Sequence, residues 1–263
     1  MQRTFKDLDQ KWALVLGASS GFGAAMCREL AQAGMNICGV HLDRRSTMPA
    51  VEKLISDIEG HSKEALFFNI NAADPEKREE VMDTLKEKGI RIHVLVHSLA
   101  FGTLKPYIDG QDALGQKHME MTLDVMAHSL VYWTQSLVSH DCFEKGGRVF
   151  AMTSAGGERV WKTYGAVSAA KAALESHIRQ LALELAPLQI TANSIRAGVT
   201  DTPALRKIPG NDHMIELATA KNPYGRLTTP EDVAQAVVAL SLPQCGWING
   251  NVLGIDGGEN IVD

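Results

Sequence analysis

The chain has 263 residues, 45% of them hydrophobic and 22% charged, with a formal net charge of −5. That length and balance suit one large α/β domain, residues 1–263, able to bury a full core. The acidic balance argues against nucleic acid as the main partner, because that would call for a basic face. The opening MQRTFKDLDQ lacks the apolar segment of a secretory signal, and no apolar run reaches the ~18 residues needed to span a bilayer. The expectation is a cytoplasmic protein without membrane association.

Apolar runs then alternate with helical patterns along the whole chain. Strands are predicted at Trp12–Leu16, Asn36–His41, Glu64–Ile70, Ile92–His97, Arg148–Met152, Ile190–Ile195 and Asn251–Ile255. Several are almost continuously apolar, as parallel strands buried on both faces must be. Amphipathic stretches between them predict helices at Gly23–Ala33, Ala50–Glu59, Pro75–Lys88, Leu114–Ser139, Ser168–Ala186 and Pro230–Ser241. Pro75 and Pro230 suit first-turn positions, with Asp74 and Thr229 as N-caps. This alternation predicts a Rossmann-type doubly wound parallel sheet of about seven strands. The stretch 200–222 breaks the rhythm with Pro203, Pro209 and Gly210, and is expected to be a substrate lid inserted after a strand end.

The four cysteines (Cys27, Cys38, Cys142 and Cys245) are scattered and form no CxxC pair, so they read as reduced packing thiols. The nine histidines show no metal-ligand spacing, and no metal is expected.

The first βα junction reads Gly17-Ala18-Ser19-Ser20-Gly21-Phe22-Gly23 after an apolar strand. A strand, a glycine turn and a helix start place backbone N–H groups and a helix N-terminus beneath a pyrophosphate. Further along, Tyr164 and Lys171 stand in YGAVSAAK, seven positions apart, close to two helical turns. On one helix face the ammonium favours negative charge on or near the phenol, which makes the two a proton-donor pair.

The GxxxGxG order of residues 17–23 resembles the cofactor fingerprint of the short-chain dehydrogenase/reductase superfamily. So do Val96–Ala100 after the fourth strand, Thr153-Ser154 after the fifth, Asn193–Gly198, and Ile255–Gly258 at the end. In most members the tyrosine stands four residues before the lysine. Here that place is Val167, and Tyr164 lies further back. The spacing of six intervening residues is similar to that of the divergent branch, the enoyl-[acyl-carrier-protein] reductases, as are HSLAF at 97–101 and GGER at 156–159. Where that branch often has a second tyrosine, this chain has Ser154.

The resemblance implies reduction of the 2,3 double bond of a trans-2-enoyl thioester, carried by acyl carrier protein or coenzyme A, in fatty acid synthesis. It implies Tyr164, Lys171 and Ser154 as the catalytic set. Cofactor contacts carry over to Gly17, Ser19, Ser20, Gly21, Phe22, Gly23, Asn69, Ile70, Ser98, Leu99, Ala100, Lys171, Val199, Thr200 and Thr202. Substrate contacts fall on Phe101, Gly102, Ser154, Tyr164, Leu205 and Ile208. Arg44 and Arg45, just beyond the second strand, suit the 2′-phosphate of NADPH, with NADH as the other possibility through Asp43. Arg206 and Lys207 offer cations to an acidic carrier protein. A homotetramer through the helices at Leu114–Ser139 and Ser168–Ala186 is implied too. Two alternatives stay open: a carbonyl reductase working through Ser154, Tyr164 and Lys171 on a 3-oxoacyl thioester, and a non-catalytic dinucleotide-binding protein.

Overall fold

A computed structural model describes residues 4–262. Seven parallel strands form one sheet: β1 (Trp12–Leu16), β2 (Asn36–His41), β3 (Ala65–Asn69), β4 (Ile92–His97), β5 (Phe143–Thr153), β6 (Thr191–Ala197) and β7 (Val252–Ile255). Their order is β3-β2-β1-β4-β5-β6-β7. β1, β2 and β4 are buried along nearly their whole length, which is why they read as unbroken apolar runs. The chain reverses its winding direction between β1 and β4. A crevice therefore opens beyond the carboxyl ends of these two strands, the usual ligand position in this architecture.

Helices cover both faces. On one side α1 (Gly21–Gln32), α2 (Met48–Glu59) and α8 (Pro230–Leu240) pack Met26, Leu30, Leu54, Ile58, Val233 and Val237 against the sheet. On the other, α3 (Pro75–Glu87), α4 (Gln116–Leu123), α5 (Ser129–Ser139) and α6 (Gly165–Glu184) bury Met82, Leu130, Trp133, Val167 and Leu174. The caps form at the expected residues. Asp74 accepts from the N–H groups of Glu76 and Lys77, and Thr229 and Asp232 form a reciprocal capping box.

Three elements differ from the sequence expectation. The stretch expected as one helix over 114–139 is α4 and α5 joined by a π-helical turn at Asp124–His128, where Ser129 Oγ donates to the Val125 carbonyl. β5 begins at Phe143, five residues before the apolar run, because Phe143 pairs with Ile92 ahead of a register shift. The 200–222 stretch is mostly ordered as a 3-10 turn and a helix, α7 (Asn211–Lys221), following β6.

Candidate active site

The glycine turn lies at the β1/β4 reversal. Gly17 has φ 87°, and a Cβ built there would sit 2.4 Å from the Ser98 carbonyl at the end of β4. A Cβ on Gly23 would meet the Gly17 carbonyl at 2.1 Å, so only glycine lets α1 start this close to the turn. Ser20 is extended and makes no side-chain cap bond. The first N–H groups of α1 are thus left open toward the crevice, a ready anion site. From across the crevice, Thr202 comes within 3.5 Å of the Cβ position of Gly21, and Leu99 within 3.4 Å of that of Gly17. Sequence-predicted residues from the β1, β4 and β6 ends, 185 positions apart at the extremes (202 − 17), therefore share one crevice.

The neighbouring corner is built by Asp43. Its carboxylate is 3.0 Å from His41 Nδ1. Partial burial raises the carboxyl pKa, but hydrogen bonds from Ser19, Thr47 and His41 outweigh that and leave it below the usual range. Asn69 has its side chain committed to the Asp43 backbone, accepting from its N–H at 2.9 Å and donating to its carbonyl at 3.0 Å. It therefore fixes the β2–α2 loop rather than offering its amide to a ligand. Ile70 packs against the core, while Arg44 and Arg45 are exposed beside this corner.

At the far end of the crevice, Tyr164 stands just before α6 rather than inside it, with φ −93° and ψ 2°. The expected shared helix face is thus replaced by a cap position. Thr163, immediately before it, is held at φ 66°, a left-handed conformation costly for a β-branched residue. The Tyr164 ring lies over Gly156, whose Cβ would fall 2.6 Å from a ring carbon. The phenol pKa is raised by burial, offset in part by a hydrogen bond with Ser154. Ser154 Oγ also accepts the Gly156 N–H at 3.2 Å. Lys171 is buried, and its Nζ donates to the Met152 carbonyl at 2.6 Å. Burial pulls its pKa down to about 8, against the opposing pull of Glu175. Val167 is core: a Cβ on Gly102 would lie 2.7 Å from its Cγ2.

The loop after β6 closes the site. Val199 donates its N–H to Glu259 Oε2 at 2.9 Å, and Thr200 and Thr202 are buried. Burial raises the Glu259 carboxyl pKa. Leu205 and Ile208 are 8% exposed each and point into the protein, so they face an incoming ligand only if this segment moves. Phe101 and Ala100 are exposed, with Gly102 half-buried beside them. Arg206 is paired with Asp201 through two bonds of 2.7 Å and with Asp212 at 3.0 Å. Of the two cations expected to meet a carrier protein, Arg206 is thus already neutralised.

Four residues here were given no role by the sequence reading. Thr153 and His97 stood there only as parts of motifs with no role assigned, and Glu175 and Glu259 were given none; His97 is fully buried at the end of β4. Ser129 gives its proton to Val125, so His97 Nε2 is the donor in their 2.8 Å bond, leaving Nδ1 an unpaired acceptor among the described residues. Glu175 left its own trace, as a charge one turn beyond Lys171 on an apolar helix face.

The strand order, the glycine turn, and the Tyr164 and Lys171 side chains around the end of β5 define an oxidoreductase of the short-chain dehydrogenase/reductase type. The model of the Enoyl-(Acyl carrier protein) reductase family matches residues 17–260, and the chain belongs to that family. The chain is 28% identical over 259 residues to an enoyl-[acyl-carrier-protein] reductase [NADH] of a Nostoc species, covering 97% of this chain and 98% of the relative. It is also 26% identical over 257 residues to a 3-oxoacyl-[acyl-carrier-protein] reductase of Thermotoga maritima, covering 95% and 98%. The crystal structure of the Aquifex aeolicus enoyl-[acyl-carrier-protein] reductase (NADH) superposes with a TM-score of 0.85 at 24% identity, covering 97% and 98% of the two chains.

Proposed function

We propose that this protein reduces the 2,3 double bond of trans-2-enoyl thioesters with a nicotinamide dinucleotide. The observation that carries this reading is the burial of Val167 in the core, with the phenol of Tyr164 displaced toward Ser154. In the carbonyl-reducing branch the phenol stands at the Val167 position, and here no donor does.

The crevice supplies each part of the reaction. The open N–H groups of α1 and the Gly17–Gly23 turn bind the pyrophosphate. Val199, Thr200 and Thr202 would hold the carboxamide and the phosphates, and Lys171 the nicotinamide ribose. A bound dinucleotide would supply the hydride for the β-carbon, with negative charge developing on the thioester oxygen of the substrate as an enolate. Tyr164 donates a hydrogen bond to that oxygen, and the α-carbon then takes a proton. A phenol is protonated at neutral pH and burial raises its pKa further, so it is a donor from the outset.

Arg44 and Arg45 support NADPH, since both are exposed where a 2′-phosphate would lie. A second reading, NADH, is favoured by the Asp43 carboxylate, which sits against Ser19 of the glycine turn and would repel a phosphate while accepting a 2′-hydroxyl. Transient docking of an acyl carrier protein near Lys207, a homotetramer and a cytoplasmic location belong to the same reading. The test is oxidation of NADPH and NADH with crotonyl and longer enoyl thioesters, beside acetoacetyl thioester. Turnover of the enoyl substrates alone is expected. Turnover of acetoacetyl thioester alone would replace this reading with carbonyl reduction, for which the Ser154–Tyr164 hydrogen bond is the structural argument.

A further inference from the structure

The last two residues of β5 are fastened to α6 by opposite charges one helical turn apart. The Met152 carbonyl accepts from the Lys171 ammonium at 2.6 Å, and the Thr153 hydroxyl donates to Glu175 Oε1 at 2.5 Å. Both charged side chains are buried, at 6% and 9% exposure. Glu175 also touches the turn that follows β5, since a Cβ on Gly157 would lie 3.0 Å from Oε1. Lys171 and Glu175 stand four positions apart on α6, as neighbours on one face. They do not form a direct ion pair: each is tied to a different residue of the same strand end. Ser154 comes next in the chain, so this double fastening fixes the start of the turn that meets Tyr164.

We infer that Glu175 is a positioning residue of this site, holding the Lys171 side chain in its charged form and the Ser154 turn in register with Tyr164. The inference rests on the reading that Lys171 serves a bound dinucleotide. A buried ammonium without a nearby negative charge releases its proton readily. Lys171 has been brought down to about 8 even with Glu175 beside it. The other titratable group that feels its charge is His97 of β4, pushed down to about 3 by burial and by the Lys171 charge itself, while Tyr164 at the Ser154 turn is raised by burial. Tyr164 stays protonated and His97 neutral through the neutral and mildly alkaline range, so a transition there belongs to Lys171.

The experiment is a fluorescence titration of NADPH, and of NADH in parallel, across pH 6–10 on the full chain, without substrate. The wild-type protein should lose affinity through an alkaline transition, and Lys171→Arg should abolish that transition. In Glu175→Gln the midpoint should fall by about one pH unit, giving roughly fivefold weaker binding at pH 8, about tenfold above pH 9, and nearly unchanged binding at pH 6. Thr153→Val/Glu175→Met removes both ends of the hydrogen bond at once and replaces them with apolar groups, so it tests the charge even if the glutamine variant folds poorly. It should show the same downward shift. An unmoved midpoint in the folded variants, or a wild-type protein that binds without any alkaline transition, overturns the inference. Because no substrate is present, failure of enoyl reduction would leave this result intact, and the two readings fail separately.

Discussion

Replacing Tyr164 by phenylalanine removes one hydroxyl and leaves the ring over Gly156 in place. The half-buried ring keeps its packing, so the cost falls on the chemistry. Its hydroxyl is the only phenol in hydrogen-bonding contact with Ser154 among the described residues, and its pKa is raised by burial, so it acts as a full donor at pH 7. Losing one preorganised donor to a developing oxyanion costs about 3–4 kcal/mol, or roughly 10²–10³ in turnover. Lys171 remains bonded to Met152, so KM for the nicotinamide nucleotide should change by less than about twofold. Steady-state kinetics with crotonyl thioester at saturating cofactor measure both quantities. Turnover within about threefold of wild type would mean that the phenol does not meet the developing charge, and the assignment of Tyr164 would fall.

Ser154→Ala removes a neutral hydrogen bond worth about 1 kcal/mol, so enoyl turnover should fall by no more than about tenfold; a loss equal to that of Tyr164→Phe would favour carbonyl reduction. Gly23→Ala forces a methyl onto the Gly17 carbonyl at 2.1 Å, and should cost about 1–3 kcal/mol in thermal unfolding while weakening dinucleotide binding more than tenfold. Asp232 is held at about 2 by Arg226, with the Thr229 cap adding to the effect. Its lowered pKa stabilises the fold above the unfolded value of 3.8, and that contribution is lost as pH falls toward about 2. Asp232→Asn should therefore lower stability by about 1 kcal/mol at pH 7, with the difference from wild type vanishing near pH 2 in urea titrations. A persistent difference at pH 2 would assign the effect to packing.

The sheet was legible because parallel central strands cannot hide their apolar runs, and β1, β2 and β4 begin and end where the sequence places them. The glycine turn was legible for a related reason, since Gly17 and Gly23 sit where any side chain would collide with backbone. Residues whose role depends on a distant partner were not. Asn69 reads as a strand-end amide, and only the fold reveals that its side chain closes on the Asp43 backbone. Tyr164 was expected within a helix, yet the left-handed Thr163 sets it one position outside, and nothing in a threonine announces a positive φ. Leu205 and Ile208 have the apolar character of a lid, but apolar character alone does not distinguish a surface that greets a ligand from one that packs inward. Arg206 reads as an available cation, and only the fold shows it closed on Asp201 in the loop after β6.

Val167 and Gly102 carry a consequence for how such an enzyme can change its chemistry. The valine side chain occupies the space that a Cβ at position 102 would need, and Thr122 and Met126 crowd the same spot. A tyrosine placed at 167 would have to push its ring through that contact, while the old phenol at 164 stayed where it is. Moving the donor from one position to the other therefore requires concerted replacement on three elements: the loop after β4, the helical segment around the π-turn, and the first turn of α6. On the proposed reading, single substitutions along that route should lose activity before any new one is gained. An epistatic barrier would then separate the two reductase chemistries, and directed evolution between them should succeed only from libraries that vary these positions together.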